Sequence, residues 1–178
     1  MPKSTATIKL LAASLLACSA FATPARAAVP MQDPAIVAAE VENFLAGQAH
    51  SYPGSASITV NTPRIDNQPA CDQLHVYLPN GQRLRSRMTV GVRCMGPVAW
   101  TARVQANLSI QGYYYVANHT IQAGDTLSLN DLTGREGDLL SLSRGVVFDP
   151  SQAIGYVAKY RISAGGVIKA GALRDPDS

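Results

Sequence analysis

The sequence predicts an α+β protein that is mostly β. We expect a short N-terminal helix, an antiparallel sheet with a hairpin bracketed by two cysteines, and a second β-rich unit. Three observations predict this. Apolar residues recur at helical spacing only near residue 40, whereas from about Ser57 apolar and polar residues alternate. Cys71 and Cys94 flank one pair of alternating runs. The C-terminal third contains a diverged internal repeat.

The first 27 residues have the order of a secretory signal peptide. Lys3 and Lys9 form a positive region, residues 10–22 are largely apolar, and Ala25-Arg26-Ala27 offers a cleavage site. The sequence therefore predicts an exported protein, which in a bacterium places it in the periplasm.

Removal of this segment changes the arguments from charge and cysteine content. The whole chain has 15 Lys and Arg against 12 Asp and Glu, a net charge of +3. The signal contains only basic charges, those of Lys3, Lys9 and Arg26, so the mature chain would be neutral and its charge does not favour nucleic-acid binding. Cys18 leaves with the signal unless it is lipidated. That alternative stays open because Leu15-Leu16-Ala17-Cys18 loosely resembles a lipoprotein cleavage box.

The helix is predicted to begin at Asp33-Pro34, which supplies an N-cap and a proline at the first helical position. Val37, Val41 and Leu45 then recur at helical spacing, and Gly47 is the expected stop. This short helix is expected to pack on the sheet that follows.

Four strands are expected next. The first covers residues 57–61, and the second alternates from Leu74 to Leu78 before a turn at Pro79-Asn80-Gly81. The following strand places apolar residues from Leu84 to Cys94 on one face. Its other face is basic, with Arg83, Arg85, Arg87 and Arg93. A further strand is expected over residues 98–110.

Cys71 and Cys94 stand at the two ends of this predicted hairpin. They are the two cysteines that remain after signal cleavage, and cysteine pairs in exported proteins usually form disulfides. The sequence therefore predicts a Cys71–Cys94 bond, with Cα atoms within about 7 Å of each other.

A domain boundary is predicted near residue 112, which gives an N-terminal α+β domain over 28–112 and a second domain over 113–178. The second domain contains two copies of one pattern: an apolar residue, a turn glycine three residues later, an apolar residue three later and a leucine five later. The copies are Ile121, Gly124, Leu127 and Leu132, then Ile162, Gly165, Ile168 and Leu173.

The ordered set of these motifs resembles the FlgA family of flagellar P-ring formation proteins. The resemblance rests on Leu78-Pro79-Asn80-Gly81, on residues 90–97 (VGVRCMGP) with Trp100, on residues 144–147 (RGVV) and on the two glycine turns. It covers about residues 30–175.

The resemblance implies an SAF-type β-clip as the second domain. It also implies a periplasmic chaperone that binds the P-ring protein FlgI and assists its polymerisation around the rod, near peptidoglycan. No cofactor and no catalysis belong to that role. Family members continue past the element at Leu173-Arg174 with further strands, so the clip is expected to be incomplete in a chain that ends at Ser178.

Residues with catalytic or metal-binding potential are scattered. His50, His75 and His119 accompany no recognisable signature, and we interpret them as surface or rim residues. Asp131, Glu136 and Asp138 lack the glycine and terminal glutamate of a calcium loop. We therefore predict no enzyme activity and no metal or cofactor site.

Two groups of residues are candidate partner contacts. Arg83, Arg85 and Arg87 form either a solvated sheet face or a docking surface for an acidic partner or an anionic cell-wall polymer. Tyr113 and Tyr115 form either ordinary strand packing or an aromatic contact patch.

Two alternative functions stay open from the sequence. One is a pilus or secretion-system assembly factor that carries an SAF-type module. The other is an enzyme, because SAF-like modules accompany sugar-acid enzymes, although their chemistry resides in a separate domain.

Overall fold

The computed structural model describes residues 29–177, so the predicted signal peptide and Cys18 lie outside the described residues. The described chain contains one α-helix, seven strands and five short 3-10 helices. The helix is α1 (Pro34–Ala49), and the strands are β1 (Gly54–Val60), β2 (Leu74–Tyr77), β3 (Arg87–Cys94), β4 (Trp100–Ala117), β5 (Leu132–Asp138), β6 (Val157–Ala158) and β7 (Leu173–Arg174). The 3-10 helices are Pro79–Gly81, Leu129–Asp131, Leu139–Ser141, Pro150–Gln152 and Ala170–Ala172.

Helix α1 begins as the sequence predicts but ends later. The Asp33 carboxylate accepts a hydrogen bond from the Ala35 backbone N–H at 2.8 Å. The expected stop at Gly47 is wrong, because the helix continues to Ala49, which is buried, and ends at His50 with right-handed dihedrals. A glycine inside a helix costs only about 1 kcal/mol, and the burial of Ala49 offsets that cost. Within residues 29–177 no helix has both the length and the apolar character that a membrane span requires.

Strand β4 is the centre of the antiparallel sheet, whose order is β1-β4-β3-β2. Residues 100–107 of β4 pair with β3, residues 106–112 pair with β1, and residues 111–117 pair with β5. Because each strand has two edges and these ranges overlap, β1 occupies one edge while β3 and β5 follow one another along the other. Strand β4 therefore runs without interruption past residue 112.

The basic strand is shorter than the sequence indicates. Strand β3 begins at Arg87, so Arg83 and Arg85 lie in the connection from β2 rather than on a strand face. The expected tight turn at Pro79-Asn80-Gly81 is a 3-10 turn in which Asn80 and Gly81 have positive φ. Leu84 is buried although it belongs to no strand. Its apolar character therefore reflects burial in the connection and not the alternation of a strand.

Two hydrophobic cores contact β4. The first lies between α1 and the sheet and includes Val41, Val90 and Ile110, together with Leu139 from the second half of the chain. The second core includes Leu127, Val147 and Ile168. Successive tyrosines of β4 face different cores: Tyr114 packs on the first and Tyr115 on the second. The strand therefore contributes to both cores through alternating side chains.

The two repeat copies pair with each other around an approximate two-fold axis. Ile121 and Ile162 exchange backbone hydrogen bonds of 2.9 Å in both directions. The two turn glycines also donate equivalently, from Gly124 to the Ala158 carbonyl at 2.9 Å and from Gly165 to the Ala117 carbonyl at 2.8 Å. Each copy proceeds through a 3-10 turn into a strand, β5 in the first and β7 in the second.

Candidate functional site

The predicted disulfide is present at the end of the sheet where β3 finishes. Cys71 and Cys94 are bonded, with their Cα atoms 5.7 Å apart. The segment around the bond is held to the N-terminal residues, because the Cys71 N–H donates to the side-chain oxygen of Gln32 at 2.8 Å. Trp100 Nε1 donates to the Pro69 carbonyl at 3.0 Å and fixes the same loop. Covalent and polar bonds thus hold the loop between β1 and β2 against the sheet.

The three candidate arginines do not share one strand. Arg83, Arg85 and Arg87 are all exposed, but only Arg87 lies on a strand. Arg83 lines a cavity of about 100 Å³ together with Arg144 and Phe148 from the second half of the chain. Within residues 29–177, none of the three forms a carboxylate ion pair.

The tyrosines at the candidate contact patch have different surroundings. Tyr113 is 59% exposed, whereas Tyr115 is partly buried against the second core. Both lie over Gly134 of β5, where a methyl group would sit 3.8 Å from the Tyr113 ring and 3.7 Å from the Tyr115 ring. Tyr113 is therefore the member of the pair that offers its surface to solvent.

A basic and aromatic cluster on the open face of the sheet was not singled out from the sequence. The Tyr77 ring lies over Gly91, where a side chain would come within 2.4 Å of it. The Arg93 guanidinium is 5.6 Å from the ring centroid, and the His75 ring stacks on Tyr77 at 6.1 Å. The sequence signal was the alternation in β2 and β3, but only the register puts Gly91 opposite Tyr77.

A groove between α1 and β1 is a second surface that sequence reasoning missed. Its volume is about 320 Å³. One wall is the helix, with Glu42, Asn43, Ala46, Ala49 and His50, and the other is alternate residues of β1, namely Gly54, Ala56 and Ile58. Gly54, which has no side chain, and the small side chains of Ala46, Ala49 and Ala56 leave the space open. No sequence motif marks this groove, because it depends on how the helix lies beside the strand.

Most of the remaining titratable residues of interest have structural roles. The Asp131 carboxylate accepts hydrogen bonds of 2.7 Å from both the hydroxyl and the N–H of Ser128, and these bonds lower its pKa. His119 Nε2 lies 3.4 Å from Asp131, which adds to the lowering of that pKa when the imidazole is protonated. Asp138 caps the turn at Leu140. No cluster of His, Cys, Asp and Glu suited to a metal ion occurs among residues 29–177.

The described surface thus offers contact areas, an edge strand and a groove. These are features through which proteins bind other proteins. Two family models match the chain: the FlgA N-terminal domain over residues 37–110, and the chaperone for flagella basal body P-ring formation over residues 112–178. The chain belongs to the FlgA family. It is 27% identical over 135 residues to the flagella basal body P-ring formation protein FlgA of Yersinia enterocolitica, covering 76% of this chain and 58% of that protein.

Solved structures share the fold. Salmonella FlgA in its closed form matches with a TM-score of 0.60 and 18% identity, over 79% of this chain and 69% of that one. The open form of the same protein matches with a TM-score of 0.59 and 19% identity, over 78% and 64%. The α+β fold predicted from the sequence is therefore confirmed. The incompleteness of the C-terminal domain and the boundary at residue 112 stay predictions.

Proposed function

We propose that this chain is a periplasmic chaperone that binds the P-ring subunit FlgI and promotes its polymerisation. The observation that carries the proposal is that family models for both portions of a P-ring chaperone match in order over residues 37–178. The signal-like N-terminus supports export. Assembly chaperones must release their clients, so the complex is expected to be of modest affinity.

The surfaces support binding rather than chemistry. Tyr113 is exposed on β4, and tyrosine is enriched at protein interfaces. Arg83, Arg85 and Arg87 are exposed without carboxylate partners among the described residues, so they are available to an acidic client. Tyr115 lies beside Tyr113, and both rings lie over Gly134. These five residues remain the proposed contacts of the chaperone with its client.

The proposal is tested by deleting the gene and by measuring binding. We expect the deletion strain to lose P-rings in isolated basal bodies, and complementation with this chain to restore them. Purified chain immobilised on beads should retain the purified P-ring subunit. A deletion strain that builds normal P-rings, combined with no detectable retention, would show that the chaperone assignment is wrong.

A further inference from the structure

Strand β1 is an edge strand without the usual protection. Its sequence, residues 54–60 (GSASITV), contains no charged residue and no proline, and its first four residues are exposed. Within residues 29–177 the other outer strands of the same sheet are guarded: β2 has only four residues, and β5 carries Arg135, Glu136 and Asp138. Natural proteins protect sheet edges because unpaired strands recruit other strands. This unprotected edge of seven residues is therefore available to pair with a strand of another chain.

The backbone of β1 has a defined set of free groups. Asn61 continues the ladder and donates its N–H to the Gln105 carbonyl of β4 at 2.9 Å. Because successive residues of an antiparallel strand direct their N–H and C=O to opposite edges, those of Ser57 and Thr59 face β4. The N–H and C=O groups of Ala56 and Ile58 consequently point to the open edge, where an added strand would pair with them.

The groove beside this edge suits the side chains of an added strand. Gly54 and the side chains of Ala56 and Ile58 form its floor on the helix side of the sheet, and Ala46 and Ala49 contribute to the helical wall. In strand addition, backbone bonds supply affinity and pockets for alternate side chains supply selectivity. A groove of about 320 Å³ fits one or two small or aliphatic side chains at alternate positions.

The charge of the groove defines the occupant further. Neither α1 nor β1 contains a lysine or an arginine, and Glu42 lies on the helical wall. Glu40 is exposed on the same helix but does not line the groove. A segment with a basic residue near Glu42 is electrostatically complementary to this site, whereas an acidic segment would be repelled.

We propose that the β1 edge accepts an extended segment of the P-ring subunit as an added strand. That segment has small or aliphatic side chains at alternate positions and a Lys or Arg that reaches Glu42. This inference rests on the proposed function, because it names the place where the client binds. It locates a client contact on the N-terminal domain, apart from the exposed tyrosine on β4 and the arginines of the β2–β3 connection.

Residue-resolved amide exchange tests the inference directly. The full chain is measured alone and with the purified P-ring subunit. We expect the amide protons of Ala56 and Ile58 to exchange at least about tenfold more slowly in the complex, because they gain partners only there. The amides of Ser57 and Thr59 are already bonded to β4 and should change much less.

Matched variants separate the groove from the rest of the surface. Glu42→Lys should weaken binding of the subunit about tenfold, whereas Glu40→Lys on the same helix should leave it unchanged. Ala56→Tyr fills the groove and should also weaken binding, whereas Ser57→Tyr, whose side chain projects from the other face, should not. All four positions are exposed, so the variants are expected to fold, and their melting curves check this.

The outcomes are distinguishable. A subunit that binds with unchanged exchange at Ala56 and Ile58, and with equal affinity for both members of each pair, overturns the inference and leaves the proposed function intact. A subunit that does not bind at all overturns both. Slower exchange in the chain alone at rising concentration would show that a second copy occupies the edge, which also overturns the inference.

Discussion

Gly112 lies in a row of three paired glycines, with Gly54 of β1 on one side and Gly137 of β5 on the other. A methyl group on Gly112 would come within 2.6 Å of the Pro53 carbonyl oxygen and 2.9 Å of a Leu139 methyl. The φ angle of Gly112 is not in the left-handed region, so the residue is required for space and not for its dihedral freedom. The absent side chain is what lets the β1 entry and the Leu139 turn approach β4 from two sides.

We predict that Gly112→Ala lowers the free energy of unfolding by about 1–3 kcal/mol, because a backbone atom must move to admit the methyl group. Urea denaturation measures the change. Gly134→Ala is the matched control: its methyl group would lie 3.7 Å from the nearest ring, so stability should change by less than about 1 kcal/mol. Equal losses in the two variants would contradict the steric explanation.

One carboxylate closes the gap between β3 and β5. On this side of β4 the ladder with β3 ends at Asn107 and the ladder with β5 begins at Gln111. The buried Ile110 N–H between them donates to the Asp138 carboxylate at 3.0 Å, and the Leu140 N–H donates to the same oxygen at 3.1 Å. Asp138 therefore substitutes for a missing strand residue where the two halves of the chain meet.

We predict that Asp138→Ala lowers the free energy of unfolding by about 2 kcal/mol, because the Ile110 N–H would be left buried without a partner. Asp138→Asn keeps an acceptor oxygen of the same shape and should lose less than about half of that. Thermal melting at neutral pH measures both. If Asp138→Asn lowered the free energy of unfolding as much as Asp138→Ala, the negative charge of the carboxylate, and not its acceptor oxygen, would be what stabilises the fold.

The elements show what the sequence could and could not predict. The start of α1, the β2–β3 pair and the disulfide were predictable because an N-cap, period-two alternation and two cysteines are local signals. The length of β4 was not, because Gln111-Gly112 resembles a break and only the pairing with β5 extends the strand. The contacts of Arg83 and the groove beside β1 depend on distant segments, which a single sequence does not indicate.

The two hydrophobic cores share β4, so their stabilities should be coupled. Ile168 is fully buried in the second core. We predict that Ile168→Ala lowers the free energy of unfolding by about 2–5 kcal/mol and lowers the unfolding midpoint of the first core equally. Trp100 is the chain's only tryptophan and lies in the first core, so its fluorescence reports on that core.

Leu45→Ala in the first core provides the comparison, since it should move the same fluorescence transition directly. Far-UV circular dichroism should give one midpoint in each variant, coincident with the fluorescence midpoint. If Ile168→Ala left the Trp100 transition at its wild-type midpoint while circular dichroism showed an earlier step, the two cores would unfold independently.

The central position of β4 also sets the order in which the chain can fold. A chain that emerges N-terminus first, from a ribosome or from a membrane pore, presents α1 and β1 long before β4, the strand with which β1 pairs. Until residues 106–112 arrive, β1 has neither edge paired, and such strands invite aggregation. The arrival of β4 then assembles most of the first core, which Leu139 completes later, and begins the second. An interrupted chain would therefore remain a substrate for proteases rather than a smaller folded protein.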